Sequence, residues 1–282
     1  RRPKIPWADS DKTFPGCSGF SCFFQPLQKQ CKNFKNGLSQ SRAKVNWTNE
    51  RFFTPTAFER KWGPLFYGAA LTAWWWRPHE RLTDKLAVDA AAIGLKPAGN
   101  RCIAIHVRHG DTCPREDKGL RTCTAFKVYM RRAEKYRTTY NYTSIFLATD
   151  DARVIDEVSL YPHFDFMYFK DFNRTKYDSP EGVFIETLGI KRLGNAFYDA
   201  LRDIHAASLC EALIGSFQSS MSHMMFYRMV YRLGIVPPFF SVDSQYCRKR
   251  MDSACCLAGL MRQADPVCFG FKRQYTKPCV TR

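Results

Sequence analysis

CIAIHVRHGDTC, from Cys102 to Cys113, is the stretch whose reading decides the fold. Ile103, Ala104, Ile105 and Val107 surround His106, and Arg108 and Asp111 follow with Gly110 between them. A short apolar run bounded by a polar turn reads as a strand buried on both faces. Buried strands usually end in turn chemistry; this one ends in a cation, an imidazole and a carboxylate. In an open α/β sheet the ligand site lies outside the carboxyl ends of the strands, so Arg108 and its neighbours are candidate ligand groups.

Two further segments follow the same plan. Ser144 to Asp151 (SIFLATDD) runs from Ile145, Phe146 and Leu147 into the paired carboxylates Asp150 and Asp151. Glu211 to Ser220 (EALIGSFQSS) runs into a serine-rich turn. Helical patterns over about 124–138, 151–160 and 196–209 separate the strands. Strands alternating with helices predict a parallel sheet covered on both faces. Leu82, Leu86, Ala90 and Ile93 mark one face of a helix, with Gly94 at its C-terminal cap. After Ser220, Met221, Met225 and Met229 recur every four residues, a helix whose Met stripe reads as core packing. The aromatic stretch Trp62 to Trp76 reads as a buried helix, and residues 1 to about 60 as loops and short elements pinned by bridges.

The 282 residues allow one or two domains, and no run approaches the ~20 apolar residues of a membrane helix. The start, RRPKIPWADS, reads as the cut edge of a longer chain, so any membrane attachment is expected only through a segment that precedes it. There are twelve cysteines, an even count, with three clustered at the start (Cys17, Cys22, Cys31) and five at the end (Cys247, Cys255, Cys256, Cys268, Cys279) and no C-x-x-C metal spacing, which suits disulfides in an oxidising compartment. Sequons at Asn46, Asn141 and Asn173 point the same way. Cys113 and Cys123 flank the loop after the first strand and are expected to bridge, the alternative being two separate bridges to distant partners. The net charge of +17 raises nucleic acid as a partner, but the basic residues are scattered, and a phosphorylated small molecule gains equally from a positive field.

Arg108 suits bidentate phosphate binding; its alternative role is an ion pair with Asp111 or another carboxylate. Ser216, Phe217, Gln218, Ser219 and Ser220 lie between a strand and a helix start, where hydroxyls and free N–H groups form an anion site or a simple helix cap. Asp150 and Asp151 suit the hydroxyls or base N–H groups of a nucleotide, or a helix N-cap. His106 reads as a donor to phosphate or sugar, or as a satisfied core residue. The dinucleotide, P-loop and zincin signatures are absent, and neither a metal site nor a cofactor is expected.

IAIHVRHGD, FLATDD, DIHAASLCEALIGSFQSSMSHMMFYRM and WWWRPHERLTDKLAVDAAAIGLK together resemble the fucosyltransferase superfamily. The match is nearest to the α-1,6-fucosyltransferases of N-glycan cores and Nod factors and looser to the protein O-fucosyltransferases. It covers roughly residues 60 to 235. The resemblance implies a GT-B-like fold with a Rossmann-type GDP-fucose-binding domain over 96–245; the acceptor-side region over 1–95 is shorter than the family's, and residues 246–282 read as a Cys-rich tail unlike the SH3-like domain of the core-fucosylating animal enzymes. It implies an inverting transfer of fucose from GDP-fucose to a glycan or glycoprotein acceptor, α-1,6 linkage favoured, in the Golgi, with the endoplasmic reticulum as second choice. Arg108 would hold the β-phosphate, His106 would contact the donor, and Asp150, Asp151 and Glu211 would meet the guanosine half. Glu116 falls on the family's base, with Asp111 and Asp117 as competitors. Departures are Glu211 and Gln218, where the relatives have Asp and Ser, and the missing lysine after Asp111, with Lys118 nearby. A protein O-fucosyltransferase, a silent sugar- or nucleotide-binding relative and a basic nucleic-acid-binding protein are the other readings.

Overall fold

The computed structural model describes residues 65, 68–70, 72–73, 75–110, 113, 123–174 and 190–243. Within them, α1 (Glu80–Ala92) leads to β1 (Cys102–Val107), α2 (Phe126–Tyr140), β2 (Ser144–Thr149) and α3 (Ala152–Asp156). A 3-10 turn (Glu157–Leu160) leads on to β3 (Asp165–Met167), α4 (Ile190–Ser208), β4 (Ala212–Gly215), α5 (Ser220–Leu233) and β5 (Phe239–Ser241). The five strands form one sheet in the order β3-β2-β1-β4-β5, every neighbouring pair parallel. This is the α/β, Rossmann-type parallel sheet that the alternation of strands and helices predicts. The three strands read from the sequence are present; β1 has the bounds of its apolar run, and β2 and β4 end earlier than read, where the polar residues begin. The three-residue strands β3 and β5 were not legible in it.

The side-chain period of two explains both cores. Cys102 and Ala104 face one side with Phe146, Ala148 and Leu213, against α1, α4 and α5. Ile103, Ile105 and Val107 face the other with Ile145, Leu147, Ala212 and Ile214, against α2. Helix α2 presents Phe126, Tyr129, Met130, Ala133 and Tyr136 as its buried stripe, and α5 buries Met225 and Met229. Gly94 adopts φ +90 directly after α1, the left-handed conformation that its capping position requires. Leu65, Ala69 and Trp76 join Leu82, Leu86 and Ala90 in the same core as the sheet, so residues on both sides of position 95 share one interior.

Two disulfides lie among the described residues. Cys113 and Cys123 are bridged, as their closeness suggested. Cys102 and Cys210 form a second bridge, fully buried, that ties the start of β1 to the segment entering β4. Nothing in the sequence pointed to that pairing across 108 residues.

Candidate functional site

The chain leaves β1 for β2 and β3 on one side, then crosses back to β4 and β5 on the other. The reversal creates a crevice between the carboxyl ends of β1 and β4, the position at which open α/β sheets bind ligands. Arg108, His109 and Gly110 leave β1 there, and the Ser216–Ser220 turn leaves β4 there.

Register places the carboxylates. Val107 pairs with Thr149, so Arg108 emerges beside Asp150. The two form a half-buried ion pair through Nη1 and Oδ2. The other Asp150 oxygen, Oδ1, accepts the backbone N–H of His109 at 2.9 Å and of Gly110 at 3.1 Å. One carboxylate thus fixes both the guanidinium and the backbone turn that follows it. Gly110 is required by closeness: a Cβ there would run into Asp150 Oδ2 and stand 2.9 Å from Arg108 Nη1. Asp150, expected against a nucleoside, is placed as the partner of Arg108.

Asp151 has a different role. It is the N-cap of α3, accepting the Arg153 N–H at 2.9 Å, and it also takes Arg153 Nε and His109 Nδ1, each at 2.9 Å. Burial alone would raise its pKa, but these hydrogen bonds outweigh burial and hold the carboxyl below its ordinary range. His109 is clamped between Asp151 and the Thr124 carbonyl, to which Nε2 donates at 2.8 Å. His109, Cys113 and Cys123 come close enough to share a metal ion. Here the two sulfurs are bonded to each other and both ring nitrogens are engaged.

His106 sits inside β1, with Nδ1 2.6 Å from the Ser222 hydroxyl of α5. Burial first, then the Arg108 charge, pulls its pKa down to about 3, so the ring is neutral. Gly215 permits this approach, since a Cβ would stand 2.9 Å from Ser222 Oγ.

On the β4 side, Ser216 donates to Asp243, and the Phe217 N–H donates to Asp243 Oδ1 at 3.0 Å and to Ser241 Oγ at 3.1 Å. The Phe217 ring is buried, stacked on His223 with centroids 4.9 Å apart. Gln218 and Ser220 are exposed. Ser219 stands at the N-cap of α5 in extended conformation and makes no side-chain cap hydrogen bond.

The structure does not bring Glu211 to this crevice. It precedes β4, with its N–H donating to the Cys102 carbonyl at the opposite, amino-terminal edge of the sheet. Six residues of β1 intervene, roughly 20 Å at strand rise. Asp111, Glu116, Asp117 and Lys118 lie outside the described residues, as does the loop that the Cys113–Cys123 bridge closes.

Sequence reasoning missed three residues here. Asp243 organises the serine turn, but it belongs to the segment after an unrecognised edge strand. Arg174 is buried at the end of β2, donating to the carbonyls of Thr149 and Phe169 at 3.1 Å each and of Phe172 at 3.3 Å. It sits inside a sequon and gave no signal. Asp203 is buried between Arg174 and Arg202; burial raises its pKa to about 7 against the pull of both cations. Its signal was a carboxylate on the inner face of an otherwise apolar helix stretch.

No protein-family model matches this chain, and no curated protein matches it either. Solved structures do. A NodZ α-1,6-fucosyltransferase soaked with GDP-fucose matches at 17% identity and a TM-score of 0.37, over 58% of this chain and 45% of that one. The NodZ fucosyltransferase from Bradyrhizobium matches at 18% identity and 0.35, over 58% and 45%. POFUT1 in complex with GDP matches at 14% and 0.38, over 62% and 50%. This chain therefore spans half or less of the length of these neighbours.

Proposed function

We propose that this chain carries the donor-binding part of an inverting fucosyltransferase that uses GDP-fucose. The observation that supports this best is the crevice at the strand-order reversal, with the Asp150-oriented Arg108 on one wall and the Asp243-anchored serine turn at the head of α5 on the other. A fixed guanidinium and a helix N-terminus are both suited to a diphosphate. The four ordered sequence motifs resembling the fucosyltransferase superfamily supply the choice of guanosine and fucose.

In the proposed reaction an acceptor hydroxyl oxygen attacks fucose C1. The bond from C1 to the β-phosphate oxygen breaks, and GDP leaves with the electron pair. The hydroxyl proton passes to a carboxylate, for which Glu116 is the proposed base. Arg108 is aimed at the charge that develops on the leaving diphosphate, where preorganised groups act most strongly. The proposed acceptor is a glycan, with α-1,6 linkage to an N-glycan core sugar as the specific proposal, in the lumen of the Golgi. The two disulfides and the exposed sequon asparagines Asn141 and Asn173 support an oxidising lumen. Among the described residues no helix is long and apolar enough to cross a membrane.

A thermal-shift comparison of GDP-fucose with other nucleotide sugars, followed by assay of GDP release with glycan acceptors, tests this reading. GDP-fucose is expected to give the largest stabilisation. Equal response to all nucleotide sugars removes the donor assignment, and binding without GDP release with any acceptor identifies a silent relative.

A further inference from the structure

At the amino-terminal edge of the sheet, away from the crevice, lies a cavity of about 190 Å³. Its walls include Arg228, Tyr231 and Arg232 from the second half of α5, Ser208 and Leu209 from the end of α4, and Trp76. Among the described residues no carboxylate lines it; two guanidiniums do.

Arg232 is fixed in place. Its Nε donates to the Ser208 carbonyl and its Nη2 to the Cys210 carbonyl, both at 2.6 Å. Gly99, at φ +107, leaves room for it, since a Cβ would stand 2.6 Å from Nη1. Arg228 is different. Its guanidinium carbon lies 4.0 Å above the Trp76 ring. Its Nε is buried with no hydrogen-bond partner among the described residues. Burial lowers its pKa to about 10 with no carboxylate opposing the shift. The titratable neighbour it affects is His205, whose pKa falls to about 4 through burial and the Arg228 charge. That ring is neutral and supplies no counter-charge.

A desolvated cation without a counter-ion is penalised by more than a desolvated aromatic contact returns. The missing element is an anion. The cavity is partly open to solvent and has room for a tetrahedral oxyanion with a small substituent. Tyr231 is 62% exposed and offers its ring to such a substituent. We propose that this pocket binds the oxyanion of a phosphate or sulfate monoester, with Arg228 and Arg232 on the oxyanion and Tyr231 beneath the ester group. The proposal does not depend on the fucosyltransferase reading.

The test titrates the whole chain with inorganic phosphate, sulfate and acetate at matched ionic strength. Two readouts are followed: thermal unfolding, and the rate at which phenylglyoxal modifies Arg228, located by peptide mass. Phosphate or sulfate is expected to raise the midpoint saturably and to slow Arg228 modification severalfold. The stronger of the two identifies the ester class. With Arg108→Ala already in place to remove the crevice guanidinium, Arg228→Met should abolish the saturable shift while folding normally, because an apolar side chain replaces an unpaired buried cation. Arg108→Ala alone should keep it. The proposal is overturned by unchanged titration of Arg228→Met in that background, by loss of the shift in Arg108→Ala alone, by a merely linear salt response, or by acetate protecting Arg228 from phenylglyoxal as well as phosphate and sulfate do. The labelling readout uses the unmodified chain and stands even if a variant fails to fold.

Discussion

Asp150 and Arg108 lie 42 residues apart in sequence and side by side at the carboxyl edge of the sheet, where one carboxylate holds both the guanidinium and the turn that follows β1. Asp150→Asn should leave the half-buried cation unpaired and lower stability by about 3–5 kcal/mol, the usual consequence of removing one partner of such a pair. Arg108→Lys should keep more stability and lose most GDP binding, because a point charge does not replace a planar fork. Urea unfolding and GDP titration on the same preparations separate the two. Full GDP affinity in Arg108→Lys would remove the phosphate role.

Gly110→Ala places a methyl group against Asp150 Oδ2 and Arg108 Nη1. The crowded atoms are those the pair needs, so the pair must open. Donor binding should fall at least as far as in Asp150→Asn. A calorimetric titration with GDP checks this, and unchanged affinity would mean that the turn has slack.

Asp243→Ala removes one acceptor of the buried Phe217 N–H and that of the Ser216 and Ser241 hydroxyls. The Phe217 N–H keeps Ser241 Oγ, but losing the carboxylate that ties this turn together should lower stability by roughly 1–3 kcal/mol. GDP affinity should weaken too if the turn binds phosphate. Asp243→Asn, which keeps one acceptor oxygen, should recover part of both.

Asp203 sets a pH dependence. Its carboxyl titrates near 7 in the fold, against 3.8 ordinarily. The folded chain therefore holds this proton more tightly than the unfolded chain. The stability it contributes is fully present below about pH 4 and is lost as pH rises toward 7. Asp203→Asn does not ionise, so its stability relative to the unmodified chain should rise between pH 4 and 8. Urea midpoints at three pH values in that window give the sign, and a constant difference would show that Asp203 ionises normally.

The Cys102–Cys210 bridge closes a loop of more than a hundred residues between the central strand and its neighbour. Replacing both cysteines by alanine should cost about 2–5 kcal/mol, chiefly by releasing the unfolded chain. Unfolding curves without reductant should show it. With reductant, the unmodified chain should approach the double variant.

The three inner strands β1, β2 and β4, the helices α1, α2, α4 and α5 and the Gly94 cap were legible in the sequence, because each is specified by neighbours a few residues apart, whereas the pattern over 151–160 becomes only the short α3 and a 3-10 turn. Apolar runs fix β1 and β2, and a four-residue repeat fixes α5. The edge strands β3 and β5 were not, since three residues carry no period and hydrogen bonds to an existing sheet recruit them. Arg108, Asp150 and the serine turn were legible as candidates by residue type and by their place at strand ends. Their roles were not. That Asp150 pairs with Arg108, that Asp151 instead caps α3 and clamps His109, and that Glu211 stands at the far edge all follow from strand order and register. So do the Asp243 anchor, the Cys102–Cys210 bridge and the uncompensated Arg228. Local sequence determines which element a segment becomes and which face is apolar. Which carboxylate meets which cation is decided only when parallel pairing brings distant segments into register, because in a parallel sheet every neighbouring strand end comes from another part of the chain.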